Sequence, residues 1–181
     1  MANGIVWTWM TKLREPLDEI GACGLPLALE VMGERWSFMI LRAAFNGVWH
    51  FEEFLGVLGI ARNILSNRLS KLVEHGIMRR EPCPDDRRKV EYRLTDKGED
   101  LLPAMLALRQ WGEKYGLGVP SNPVLVDKRD HRPIGLVNIR GHDDRVLTWH
   151  ELQWQDRSEI GAEKACSGPA VEELPGWRQG D

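Results

Sequence analysis

The stretch Ala61-Arg62-Asn63-Ile64-Leu65-Ser66-Asn67-Arg68-Leu69-Ser70-Lys71-Leu72-Val73-Glu74-His75-Gly76 decides the fold. Ala61, Leu65, Leu69, Leu72 and Val73 recur at i, i+4, i+8, i+11 and i+12, one stripe of an α-helix turned toward a core. Gly76 is a favoured residue just past a helix end. The positions turned away from the stripe include Arg62, Asn63, Ser66, Asn67, Ser70 and Lys71, donors and small polar groups with no carboxylate among them. That face suits a polyanion. In the major groove of B-DNA, Arg pairs with guanine edges and Asn with adenine edges.

The neighbours on both sides extend the pattern. Upstream, Phe51, Phe54, Leu55 and Leu58 predict a short amphipathic helix that stops near Gly59. Before it, Leu27–Met32 and Ser37–Phe45 are apolar nearly all round a helical period and predict helices buried on several sides. Downstream, Met78–Cys83 and Val90–Leu94 alternate with period two around Pro84, Asp85, Asp86, Arg87 and Arg88, which predicts a hairpin with a basic tip. Arg79 and Arg80 point to opposite faces of a strand, so at most one of them faces DNA. Thr95 is a plausible N-cap for a helix carrying Leu101, Leu102, Met105, Leu108 and Trp111 to about Tyr115, kinked at Pro103.

Short helix, turn, longer helix with a polar outer face, then a basic hairpin is the winged helix-turn-helix arrangement. The expected fold class is mainly α with a small β component. A winged helix-turn-helix domain for DNA binding and dimerisation spans 1–116. A small β-rich extension read as a meander spans 117–155, with β-prone Val124–Val126, Leu136–Ile139 and Val146–Trp149, and a mobile tail spans 156–181.

The net charge of −3 hides a polarised distribution. Between Ile60 and Arg93 there are nine basic residues against five acidic, a local +4, while the rest of the chain carries −7. Arg80, Arg87, Arg88 and Lys89 of the hairpin are candidates for phosphate contact. No run reaches the roughly 18 apolar residues of a membrane span. With no signal-peptide pattern at the start, a cytoplasmic protein with no membrane partner is expected. Cys23, Cys83 and Cys166 are odd in number and far apart, and are expected as reduced thiols.

The residues also resemble a known family, the HxlR-type winged helix-turn-helix transcription regulators of bacteria. The resemblance runs through Cys23-Gly24-Leu25-Pro26, Met32-Gly33-Glu34-Arg35-Trp36-Ser37, Leu41-Arg42, Phe51-Glu52-Glu53-Phe54, Ile60, Leu65-Ser66-Asn67-Arg68-Leu69, Leu72 and His75-Gly76-Ile77. It continues through Val90-Glu91-Tyr92-Arg93-Leu94-Thr95 to Gly98 and Trp111-Gly112. It implies a homodimer that binds double-stranded DNA, with a recognition helix at about Ala61–His75, a wing at about Met78–Leu94 and flanking helices that dimerise. Leu101, Leu102, Met105, Leu108 and Trp111 would then lie at the dimer interface. Trp7 and Trp9, ahead of the expected helices and otherwise exposed, are expected to join them. A dimer places two recognition helices about one DNA turn apart and predicts an inverted-repeat operator.

Two departures accompany the resemblance, and two of its matched residues carry two readings each. Ala61 stands where the family commonly has Ser, so the cap of the recognition helix is weaker or supplied otherwise. Arg68 is open between DNA contact and an internal salt bridge. Cys23 matches a position that is a redox- or electrophile-sensing thiol in some members, against a plain structural cysteine. The region after Gly116 lies outside the resemblance.

The competing classes are a cysteine-dependent enzyme and a winged-helix interaction module that does not bind DNA. The enzyme lacks support: Cys23 has no nucleophile-turn context, and neither a phosphate-binding glycine loop nor paired carboxylates are present. The basic wing opposes the interaction module. His131, His142 and His150, spaced by eleven and eight, fit no compact ligand motif, so neither metal nor cofactor is expected. An unidentified small-molecule effector is allowed for, although no residue marks its site.

Overall fold

The computed structural model describes residues 23–83, 86, 89–117 and 122–154. They fall into two units, one within Glu19–Val137 and one that takes up the chain from Asn138. In the first, the order is α1 (Gly24–Met32), α2 (Arg35–Phe45), α3 (Phe51–Leu58), α4 (Arg62–Glu74), β1 (Met78–Pro82), β2 (Val90–Leu94), α5 (Asp96–Glu99) and α6 (Leu102–Gly112). The chain is mostly helical with a two-stranded antiparallel sheet, as its periodicities predict.

The core is where the amphipathic stripes meet. Phe54 of α3, Ile40 and Leu41 of α2, Leu65, Leu69 and Leu72 of α4 and Met78 of β1 are fully buried. Two glycines set the turns that let these stripes face one another. Gly59 ends α3 at φ +59° with its N–H donated to Leu55 O at 3.0 Å, and Ile60 then drops into the core before α4. Gly76, at φ +67°, ends α4, and Ile77 N–H closes the turn on Leu72 O at 2.8 Å.

At the start of α3, the Glu53 carboxylate accepts the backbone N–H groups of His50 at 3.1 Å and Trp49 at 3.2 Å. These bonds hold its carboxyl below the ordinary value of 4.5. A group lowered in the folded state stabilises above its unfolded value and loses that contribution as the pH falls through its folded value. Glu53→Gln is therefore expected to lower stability by a few tenths to about 1 kcal/mol at neutral pH. Thermal unfolding of both proteins against pH should show that gap closing below pH 4.5; a gap independent of pH would contradict the cap.

β1 and β2 pair antiparallel with Met78 opposite Leu94, Arg80 opposite Tyr92 and Pro82 opposite Val90. The base of this hairpin is fixed to the segment before α3: Tyr92 N–H donates to Trp49 O at 2.8 Å, and His50 bridges Glu91. Glu91 is buried, paired with Arg93 at 2.7 Å and 3.8 Å from His50, while the Arg93 guanidinium lies 3.3 Å from the Trp49 ring centroid. Arg93, with help from the Cys83 thiol, holds the Glu91 carboxyl below its ordinary value.

Three expectations are corrected. In α1 only Met32 is buried and Val31 half-buried against the core, while Leu25, Leu27 and Leu29 stand exposed among the described residues. The single kinked helix after Thr95 is two helices. Thr95 caps α5, its Oγ1 accepting Gly98 N–H at 3.2 Å and donating to Gly76 O at 2.6 Å. α6 then starts afresh at Leu102, with Pro103 in its first turn where a missing N–H costs nothing; a π-turn over Glu113–Leu117 follows it. The meander is the third. Among the described residues of 122–154 there are single bridges, Val126 to Pro133 in the first unit and Arg140 to Val146 in the second, and no strand ladder. Asp127 and Asp143 accept the N–H groups of Arg129 and Arg145 in the turns, and the β-prone segments meet through isolated bonds, Ile134 N–H to Leu125 O at 3.1 Å and Leu147 N–H to Ile139 O at 2.8 Å, that do not extend into a ladder. The expected tail, 156–181, lies outside the described residues.

Candidate nucleic-acid interface

α4 presents two faces of opposite character. Leu65, Leu69 and Leu72 are sealed in the core, whereas Arg62, Asn63, Ser66, Asn67, Ser70 and Lys71 are all exposed. The polar groups singled out by spacing thus stand together on one open surface. Ala61 forms the N-cap without a side-chain bond.

Not every cation on this surface is unengaged. Arg62 donates Nη1 and Nη2 to the two Glu52 oxygens at 2.7 and 2.9 Å and lies 5.3 Å from the Phe51 ring centroid. The hydrogen bond lowers the Glu52 carboxyl and raises the Arg62 guanidinium. Both partners are about two-thirds exposed, so water and salt weaken the pair and a phosphate or guanine edge can replace the carboxylate. Glu52, as the partner of Arg62, is the residue at this surface that sequence reading missed. Ten positions separate it from Arg62, and only the α3–α4 packing brings the two together.

Arg68 resolves toward the internal salt bridge. Its side chain is only 17% exposed, it pairs with Glu34, and its Nε is buried with no partner among the described residues. This ties α4 to the residue preceding α2. Arg68→Met is expected to cost about 1–2 kcal/mol in thermal unfolding, discounted from a fully buried pair because Glu34 is half-exposed. The salt dependence of DNA binding should be unchanged; a slope reduced by about one would instead place Arg68 on a phosphate.

On the hairpin, Arg79 is committed to Glu81 Oε1 at 2.6 Å and to Leu94 O at 2.6 Å. Arg80 and Lys89 are exposed, and among the described residues neither side chain has a partner; the same holds for Lys71 of α4. Arg87 and Arg88 lie outside the described residues, as do Trp7, Trp9 and Cys166.

Of the residues expected at a dimer interface, Leu101, Leu102 and Met105 are half-buried, Leu101 packing on the core, and Leu108 and Trp111 are exposed. Cys23 is a partly buried free thiol at the N-cap of α1, without a side-chain capping bond. No group of three or more His, Cys, Asp or Glu among the described residues is placed to hold a metal, and no described helix is long and apolar enough to cross a membrane.

A helix-turn-helix formed by α3 and α4, an open polar face on α4 and an anchored basic wing define a DNA-binding protein of the winged-helix class. The chain belongs to the HxlR-like helix-turn-helix family, whose pattern matches residues 31–118. An uncharacterised HTH-type transcriptional regulator of Mycobacterium tuberculosis, Rv3095, is 49% identical over 123 residues, 68% of this chain and 73% of that protein. The crystal structure of PA1607, a proposed transcription factor, superposes with a TM-score of 0.70 at 38% identity, covering 77% of this chain and 98% of that one. PA1374 from Pseudomonas aeruginosa, another proposed transcription factor, gives 0.53 at 32% identity over 83% of this chain and 96% of its own. This protein is a transcription regulator with a helix-turn-helix DNA-binding domain, and not an enzyme.

Proposed function

We propose that this regulator binds an inverted-repeat operator as a homodimer. Asn63, Ser66, Asn67 and Ser70 face base edges, with Arg62 exchanging Glu52 for DNA. Lys71 and the wing residues Arg80, Arg87, Arg88 and Lys89 hold the phosphates. The observation that carries this is the open face of α4: Leu65, Leu69 and Leu72 are sealed in the core, while Arg62, Asn63, Ser66, Asn67, Ser70 and Lys71 stand exposed.

The dimer is supported by apolar surface that one chain leaves uncovered: Leu25, Leu27 and Leu29 on α1, and Leu108 and Trp111 on α6. A second copy is the occupant that gives two recognition helices and half-sites roughly 10 base pairs apart. Cys23 opens α1, so a modified thiol there acts on the dimer rather than on the reading face.

The test is a footprint on DNA upstream of the protein's own gene, with and without a thiol oxidant, on wild type and Cys23→Ser. The expected result is a symmetric protected region that the oxidant abolishes in wild type alone. Protection that ignores the oxidant in wild type removes the sensor, and absence of any protected inverted repeat removes the operator.

A further inference from the structure

We propose that Ile64 is a sequence-reading residue that packs on the 5-methyl group of a thymine in each half-site; the proposal rests on the DNA-binding reading of α4 above. Every other large apolar side chain of α4 has a place. Leu65, Leu69 and Leu72 are at most 1% exposed, and Val73 packs on the core. Ile64 is 38% exposed and is not among the apolar residues packed against that core. Helix propensity does not account for it either, since a β-branched residue is a poorer helix former than Leu, Lys or Gln at an exposed position.

Its position relates it to the reading face. At i+3 and i+7 from Ile64 stand Asn67 and Lys71, both exposed, so the three form one strip along the helix surface, with Asn63 adjacent. Glu74 is exposed at the far end of the helix, where its charge opposes a phosphate backbone. The helix therefore approaches the duplex by its first two turns, the part of a recognition helix that meets base edges. Ile64 lies in the first of these turns. The major-groove edge of B-DNA offers one apolar group, the thymine methyl, and an exposed branched aliphatic side chain beside an adenine-reading Asn matches it.

The experiment begins with duplexes selected by the full-length wild-type protein from a random pool. Each thymine of the best half-site is then replaced by deoxyuridine, which removes only the methyl. Wild type is expected to lose about fourfold in affinity at one thymine position per half-site, the worth of one methyl withdrawn from water. Ile64→Ala should show the same loss on the thymine duplex and no further response to deoxyuridine there. Selective binding by wild type that is indifferent to every such replacement, or an Ile64→Ala protein that still responds, overturns the proposal and leaves the regulator reading standing. Failure to enrich any duplex overturns both.

Discussion

The double variant Leu108→Glu/Trp111→Glu is expected to sediment as a monomer and to bind its operator at least about a hundredfold more weakly than wild type. Trp111 is 65% exposed and Leu108 55%, and three positions apart on α6 they lie side by side as an apolar patch that a second copy would cover. Two glutamates placed there would be desolvated on dimerisation without partners, which costs far more than the lost apolar contact. The second half-site contributes through effective concentration, so a protein that cannot dimerise forfeits a factor of roughly 10²–10⁴. Because neither residue is buried within the chain, the monomer should keep its melting transition. A variant that remains dimeric places the interface elsewhere; one that is monomeric yet binds the inverted repeat as tightly removes the symmetric operator.

Phe54→Ala is the substitution with the largest expected effect on the fold. The ring is fully buried where α3 meets α2 and α4, among Ile40, Leu41, Leu65 and Leu69. Truncation removes the transfer free energy of the ring and leaves a cavity, together about 3–5 kcal/mol. For a domain of this size that corresponds to a fall in Tm on the order of 15–30 °C. Such a loss takes a large share of a typical total stability. The recognition helix depends on this core for its position, so DNA binding should fail at temperatures where the wild type still binds. A loss below about 1 kcal/mol would mean that α3 does not anchor α4 as described.

Much of this was legible from spacing. The stripe through Leu65, Leu69 and Leu72 fixed which side of α4 is sealed, and therefore which residues are open, because burial of an apolar stripe leaves a helix only one other face. The hairpin was equally plain from its period of two and its turn residues. What spacing could not supply was the partner of each charge. A count of basic residues between Ile60 and Arg93 treats all alike, yet Arg62, Arg68, Arg79 and Arg93 are held by Glu52, Glu34, Glu81 and Glu91, while Arg80 and Lys71 are not held among the described residues. Those pairings depend on how helices pack. The exposure of α1 is hidden from spacing for a related reason: an apolar helix has the same pattern whether or not its own chain covers it. β-propensity marks the segments after Pro123 but not how far they pair: among the described residues they meet at the single bridges Val126–Pro133 and Arg140–Val146, around turns where Asp127 and Asp143 accept backbone N–H groups.

The most direct test of the account is the discrimination of Asn63→Ala/Asn67→Ala between a duplex selected by wild type and a scrambled one of equal length. Both side chains are exposed, so the double variant should melt with the wild type and keep salt-dependent affinity for any DNA through Lys71 and the wing. Its preference for the selected duplex should fall by at least about thirtyfold, the loss of two bidentate base contacts at the lower end of their range. A preference equal to that of wild type would show that the open side of α4 does not read sequence.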